Sequence, residues 1–212
     1  MGGRRIRIAA GWRSVNIILV NRKVCIKAFS KRHISNARRE YEALRRLCEA
    51  GISVPRPYRL ILDGNPIVLV REYVEGMHFW DALKQYSQQM LAEVLLRLLR
   101  ELRAIEDLGL YVPEISTLTK NVIVSGVRPY IIDLEGAKPS KSLIVTQFLS
   151  LIHRLGRRGD NIGQKIRNIF DTEDVLGAAR EYKRSRDMGI VVRLFRCLRD
   201  AELDNRRDTE HN

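Results

Sequence analysis

The sequence predicts an α+β fold of two lobes: a small N-terminal antiparallel sheet lobe with one helix, and a mainly α-helical C-terminal lobe. Three observations predict it. Residues 4–74 hold five short β-branched runs separated by turn signals. One helical period, residues 35–50, lies between the third and fourth runs. Near Gly76 the pattern changes from alternating to helical. With 212 residues and 45% apolar content, the chain can bury one large domain or two small lobes sharing a cleft. The expected division is 1–75 for the sheet lobe, 76–204 for the helical lobe and 205–212 for a polar tail.

The strand runs are 5–10, 15–20, 23–29, 58–62 and 67–74. Asn21-Arg22 reads as a two-residue hairpin connection, and Asp63-Gly64-Asn65-Pro66 as a turn punctuated by Gly and Pro. Ser35 or Asn36 caps the helix and Gly51 stops it. In the second lobe the clearest helix is 90–108, where Leu91, Leu95, Leu98, Leu102 and Ile105 recur at helical spacing. A short β-like insert, 121–124 and 130–133 around Ser125-Gly126, precedes helices at roughly 141–155, 161–170, 173–186 and 189–202.

Composition excludes several classes. Cys25, Cys48 and Cys197 are odd in number and far apart, which supports neither a disulfide framework nor a Cys-x-x-Cys metal site. No stretch approaches the roughly 18 uninterrupted apolar residues of a membrane span. A soluble protein of the reducing cytoplasm, with no membrane partner, is the expectation. His33, His78, His153 and His211 make no metal-ligand spacing, and Trp12 and Trp80 read as packing residues. A net charge of +13 attracts polyanions or marks a solvated basic surface.

Chemistry concentrates at a few positions. Ile131-Ile132-Asp133-Leu134-Glu135-Gly136 is an apolar strand that ends on a carboxylate, and Asn121 stands twelve residues before Asp133. That pair suits a metal ion on the phosphates of a nucleotide. Lys27, inside the apolar run Val24-Cys25-Ile26-Lys27-Ala28-Phe29, needs an anion if it is buried. On the following helix Glu40 shares a stripe with Ala37, Leu44 and Leu47, whereas Glu42 lies on the polar side. Either Lys27 and Glu40 form an inward ion pair that grips phosphates, or Lys27 snorkels at an edge and Glu40 makes a surface pair. Gly11-Trp12-Arg13-Ser14 joins the first two strands, as a phosphate-covering turn with Gly11 and Ser14 or as an ordinary hairpin. Arg71-Glu72-Tyr73-Val74-Glu75-Gly76 ends the last strand of the small lobe, so the backbone at Glu72 and Tyr73 is a hinge where adenine can bond, or a plain linker.

In this order the elements of residues 6–155 resemble the protein-kinase-like superfamily, in its atypical branch of RIO and Bud32 kinases and related archaeal Ser/Thr kinases. Val24-Cys25-Ile26-Lys27 resembles the strand of the ATP-binding lysine, and Arg39-Glu40-Tyr41-Glu42-Ala43-Leu44 the helix of its glutamate. Gly51-Ile52-Ser53-Val54-Pro55-Arg56-Pro57 is similar to the stretch that follows that helix in RIO-like kinases. Asn121-Val122-Ile123-Val124 and Ile131-Ile132-Asp133-Leu134-Glu135 resemble the metal-binding asparagine and the Asp-Phe-Gly-type segment. The resemblance implies ATP with Mg2+ or Mn2+, with Lys27 and Glu40 on the phosphates and Asn121 and Asp133 on the metal.

The catalytic loop departs from the pattern. The family's Gly-Ile-x-His-Gly-Asp-Leu-(Ser/Thr) falls on Gly109-Leu110-Tyr111-Val112-Pro113-Glu114-Ile115-Ser116, which puts Glu114 at the catalytic aspartate and Val112 at the histidine. The interval from Glu114 to Asn121 is two residues longer than in the family; counting back from Asn121 selects Ser116 but breaks the match at Gly109 and Leu110. Lys120 is either a phosphate-side cation or a solvated loop lysine. After Asp133 the chain enters a helix without room for a long activation segment, which favours a restricted protein acceptor or autophosphorylation, with Ser14, Ser35, Ser140 and Ser142 as possible self-acceptors. A non-catalytic pseudokinase and a small-molecule phosphotransferase of the same fold stand as alternatives. Twelve Arg and Lys residues from Arg154 to Arg199 form either a solvated face or a contact for RNA or ribonucleoprotein, as in RIO and Bud32 relatives.

Overall fold

The computed structural model describes residues 6–10, 14–113, 118–141 and 143–195. Gly11, Trp12, Arg13, Glu114, Ser116, Ser142, the end of the last expected helix and the 205–212 tail lie outside the described residues.

The N-terminal lobe is a five-stranded antiparallel sheet: β1 (Ile6–Ala10), β2 (Ser14–Leu19), β3 (Val24–Phe29), β4 (Pro57–Ile61) and β5 (Ile67–Glu72), in the order β1-β2-β3-β5-β4. Between β3 and β4 the chain forms α1 (Ile34–Glu49). Alternation decides the faces. On β3 the side chains of Cys25, Lys27 and Phe29 are buried, and on β5 those of Ile67, Leu69 and Arg71. These face one another across the register Cys25 to Arg71, Lys27 to Leu69 and Phe29 to Ile67. The apolar stripe of α1, Ala37, Leu44 and Leu47, joins Phe29, Ile67 and Leu69 in the core. The other face keeps Ile6, Ile8 and Val15 exposed.

Several boundaries differ from expectation. Neither Ser35 nor Asn36 caps α1: the helix starts at Ile34 with His33 at its N-cap, because the 3-10 turn Lys31–His33 runs directly into it. The β2–β3 connection is not a two-residue hairpin at Asn21-Arg22: Val20–Arg22 forms a 3-10 turn, closed by Lys23 in the left-handed region (φ 51°) with its N–H on the Val20 carbonyl at 3.0 Å. The β-branched Val20, which reads locally as strand, is drawn into the turn by that closure. β5 stops at Glu72 rather than running to Val74, because beyond the Tyr73 N–H bond to Lys23 O (2.8 Å) the chain leaves the ladder.

The second part follows β6 (Met77–His78), α2 (Phe79–Gln85) and α3 (Gln88–Asp107). Ser87 caps α3 by accepting from Met90 N–H at 3.3 Å. The expected stripe of Leu91, Leu95, Leu98, Leu102 and Ile105 is buried, joined by Val94 and Leu99. Next come β7 (Leu110–Tyr111), α4 (Leu118–Asn121), and a hairpin of β8 (Val122–Ser125) and β9 (Arg128–Ile131) turning through Gly126 at φ +59°. β6 adds to β8, and at that junction a Cβ on Gly76 would run into the Val124 carbonyl, so only glycine fits without displacement. β10 (Lys138–Pro139) pairs antiparallel with β7 and draws the chain after Asp133 alongside Leu110–Tyr111.

Four helices complete the fold: α5 (Ile144–Gly156), α6 (Asn161–Ile169), α7 (Val175–Ser185) and α8 (Met188–Val192). Glu106 of α3, almost wholly buried, accepts Val145 N–H (2.6 Å), Tyr182 O–H (2.7 Å) and Arg186 (2.9 Å), pinning α3 to α5 and α7. α8 is shorter than the expected 189–202. Its helix ends because the Leu194 carbonyl accepts from Asp171 N–H (2.9 Å) and Phe195 bridges Phe170.

Candidate functional site

Lys27, Glu40 and Asp133 meet where the sheet lobe faces the β8–β9 hairpin. The two periodicities that carry Lys27 inward on β3 and Glu40 inward on α1 bring Lys27 Nζ to 2.6 Å from Glu40 Oε2, with Glu40 fully buried. The alternative of an edge lysine and a surface glutamate does not hold. Lys27 also lies 3.6 Å from Asp133 Oδ1, 3.9 Å from Glu135 Oε2 and 5.1 Å above the Phe29 ring. Burial works against its ammonium, but the carboxylates of Glu40 and Asp133 more than reverse this and raise its pKa above the ordinary lysine value. Burial also pushes up the Cys25 thiol, despite the nearby Arg71 guanidinium.

Two residues to which the motifs assign no role also face this cluster. Arg71 lies 3.9 Å from Glu40 Oε1, and a carboxylate oxygen from each of Glu40, Asp133 and Glu135 lies within 4.8 Å of the others. Three carboxylates thus surround the Lys27 ammonium, and one of them, Glu40, also lies near Arg71. Asp133 Oδ1 is buried and has no hydrogen-bond partner among the described residues. Oxygen donors of this kind suit a hard divalent cation. Asn121 closes α4, and its carbonyl accepts from Ile132 N–H (3.0 Å), which binds the asparagine segment to the Asp133 segment.

The loop after α1 aligns the two halves. Ser53 is buried; its N–H and Oγ–H donate to Glu101 of α3 (3.1 and 2.5 Å), its Oγ accepts from Arg128 Nε (2.9 Å), and its carbonyl accepts from Ile131 N–H (3.1 Å). β9 is therefore tied to the loop that follows the helix of Glu40. It ends at Ile131 and not on the Asp133 carboxylate as the apolar run suggests, because the next N–H, of Ile132, turns to the Asn121 carbonyl. Nothing local in the sequence signals Glu101, one of many glutamates on helices.

A cavity of about 490 Å³ opens beside the cluster, lined by β1 and β2 at Ala9, Asn16 and Ile18, by Cys25 and Arg71, and by the segment Glu72, Tyr73, Val74 and Gly76. Its floor is Ile123 and Ile132. Of the expected nucleotide residues, Glu72 and Tyr73 line it, and Ser14 is half-buried at the start of β2, paired with Phe29. Glu72 also fixes the strand end: its carboxylate accepts Arg56 N–H (3.1 Å). A second cavity of about 570 Å³, lined by His78, Trp80, Asp81 and Lys120, shares His78 and Asp81 with the first. Lys120 is exposed, and its carbonyl meets His78 Nδ1 at 3.1 Å. Val112 is fully buried, and Gly109 adopts φ +65° ahead of β7.

The basic set of the C-terminal helices separates into two groups. Lys165 is not part of a solvated face: its ammonium donates to the carbonyls of Lys84 and Tyr86 (both 2.8 Å), closing the end of α2. Arg167 donates to Arg158 O and Arg186 to Glu106. Arg158 holds Asp160, the N-cap of α6, at a pKa of about 2. Arg154, Arg157, Arg180, Lys183, Arg184 and Arg193 remain exposed, while Arg196 and Arg199 lie outside the described residues.

A two-lobed α+β fold with a lysine–glutamate pair facing an aspartate across a cleft defines a kinase-like protein. A scan against family models matches residues 21–141 to the RIO domain, and the chain belongs to that family of kinase-like enzymes. A search of curated proteins returned no match. No helix among the described residues is long and apolar enough to cross a membrane.

Proposed function

We propose that this chain is an atypical Ser/Thr protein kinase that transfers the γ-phosphoryl group of ATP to a restricted protein acceptor or to itself. The observation that carries the reading is the buried Lys27–Glu40 pair at 2.6 Å with Asp133 3.6 Å from the same ammonium. Lys27, oriented by Glu40, grips the phosphates. Gly11 and Ser14 bind them as well, and the Glu72–Tyr73 backbone receives the base. Asn121 and Asp133 hold Mg2+ or Mn2+, and the buried Asp133 oxygen without a hydrogen-bond partner supports that assignment. Bound there, the cation neutralises phosphate charge. Glu114 stands in for the catalytic aspartate: the acceptor hydroxyl oxygen bonds to phosphorus, the bond to the ADP oxygen breaks, and the hydroxyl proton passes to the Glu114 carboxylate. A cytoplasmic location belongs to the same reading, supported by the free thiols of Cys25 and Cys48.

Incubation with γ-labelled ATP and Mg2+ or Mn2+ is expected to label the protein or an added acceptor, and Asp133→Asn is expected to abolish labelling while the protein stays folded. Nucleotide binding with no transfer to any acceptor would sink the kinase reading and leave a nucleotide-binding module. One observation favours a second, compatible role in contacting RNA or ribonucleoprotein: Arg154, Arg157, Arg180, Lys183, Arg184 and Arg193 are exposed, as are the paired Arg158 and Arg186.

A further inference from the structure

Glu135 is a carboxylate to which the motifs assign no role, yet it stands beside Asp133 in the cleft. It is 9% exposed, and its neighbour Leu134 is fully buried in the core. On either side of that anchor, Asp133 and Glu135 approach the same ammonium, Lys27 Nζ, to 3.6 and 3.9 Å. Both distances exceed hydrogen-bond length, because Lys27 donates instead to Glu40 Oε2 at 2.6 Å. The oxygens of Glu40 are thereby accounted for: Oε2 faces Lys27, and Oε1 faces Arg71 at 3.9 Å. An Asp-Phe-Gly segment carries no side chain at the position of Glu135, so this second acid is a feature of this chain.

An oxygen of Asp133 and one of Glu135 lie within 4.8 Å of each other. Asp133 Oδ1 is buried and has no hydrogen-bond partner among the described residues. Carboxylates this close repel, and a cation between them removes the repulsion. Two oxygens on one Mg2+ are at most about 4.2 Å apart, twice the metal–oxygen length, so a rotation of the longer Glu135 side chain brings the pair onto one ion. Asn121 borders the same place, its carbonyl accepting from Ile132 N–H at 3.0 Å. We propose that Glu135 is a further ligand of the divalent cation beside Asp133, and that the two acids hold the ion before nucleotide arrives. With Asp133 and Asn121 alone the site offers one negative charge and depends on the phosphates for the rest; Glu135 supplies the second charge from the protein. The proposal rests on the metal-binding reading of Asp133 above.

The test is equilibrium dialysis of the full chain against Mn2+ without nucleotide, with circular dichroism to check that each variant is folded. The wild type is expected to retain Mn2+. Asp133→Asn and Glu135→Gln are each expected to weaken retention at least about tenfold, the lower end of what even outer-shell partners of a metal contribute. A change of donor separates ligation from charge: Glu135→Cys is expected to shift the preference from Mn2+ toward Cd2+ relative to the wild type, because a thiolate is a softer ligand than a carboxylate. A wild type that retains no Mn2+ without nucleotide overturns the proposal, and this arm needs no variant. Added ATP then separates the two readings: Mn2+ retained with ATP leaves the assignment of Asp133 standing, and no retention removes both. Glu135→Gln behaving as the wild type while Asp133→Asn loses the ion also overturns the proposal and leaves Asp133 as the ligand. Weakened retention in Glu135→Gln with no shift toward Cd2+ in Glu135→Cys reduces Glu135 to an effect of charge and overturns it as well. Retention unaffected by both Asp133→Asn and Glu135→Gln places the ion elsewhere and removes the reading on which the proposal rests.

Discussion

At Lys27 burial and charge oppose each other. Its ammonium serves a fully buried glutamate at 2.6 Å, and Asp133 at 3.6 Å shares it. Lys27→Met keeps the volume but leaves Glu40 with only Arg71 at 3.9 Å. Breaking a buried pair from one side costs about 3–5 kcal/mol, and the expected outcome is a lower urea midpoint together with lost nucleotide binding. The pH dependence follows from the raised lysine pKa. A group whose folded value lies above its unfolded value stabilises fully below the unfolded value, here 10.5, and that contribution is lost as pH rises through the folded value. Urea midpoints taken above 10.5 should therefore fall more steeply for the wild type than for Lys27→Met. This pair was one of two alternatives open in the sequence: a period of two on the strand and of 3.6 on the helix are compatible with Lys27 and Glu40 both turning inward, but that they meet was decided by how the strand and the helix pack. Arg71 has the same parity on β5 as Leu69 and Ile67, so its burial was readable in principle. What hid it was its charge, which reads as solvent-facing until the Glu40 carboxylate near it is known.

At the scale of elements, the joint between Ser53 and Glu101 matters most. One carboxylate accepts both the backbone and the hydroxyl of Ser53, fastening the loop after α1 to α3. Glu101→Ala removes two hydrogen bonds to a charged group and leaves buried donors behind, a cost of about 2–3 kcal/mol. The expected result is a urea midpoint lowered accordingly, with helical content unchanged by circular dichroism; an unaltered midpoint would show that Arg128 alone holds the loop. No pattern in the chain announces this contact, because a glutamate on a helix and a serine in a loop 48 residues earlier are each ordinary where they stand. The shortened α8 has the same kind of cause. Residues 189–202 have a helical pattern, yet the backbone at Leu194 is claimed by Asp171, a bond that local propensity does not foresee. By contrast, α3 follows its leucine stripe closely, since a long amphipathic period leaves little for tertiary context to change.

For the whole molecule, net charge is the property that reaches farthest. A chain of +13 attracts polyanions from solution, and the exposed cations of α5 and α7 present part of that charge. Filter retention of RNA should weaken steeply with added salt and should survive Asp133→Asn; replacing Arg180, Lys183 and Arg184 by Gln should weaken it and flatten the salt slope. Retention unchanged by that triple substitution would return these residues to a plain solvated surface. Lys165→Met is the informative contrast, since its ammonium is occupied at the end of α2 and its loss should lower stability without changing retention.

The sequence by itself determined the two-lobed α+β class, the stripe that Glu40 shares with Ala37, Leu44 and Leu47, and the order of segments that identifies the family, because periodicity and turn chemistry are properties of contiguous residues. It left the Lys27–Glu40 pair open between an inward and a surface arrangement. The tertiary structure alone decided which charges meet. Asp133 and Glu135 close on Lys27, Arg71 turns toward Glu40, Glu101 fastens Ser53, and Lys165 leaves the basic face to cap a helix. Distances between side chains on separate elements depend on how those elements pack, and a buried charge takes whichever partner that packing brings within reach.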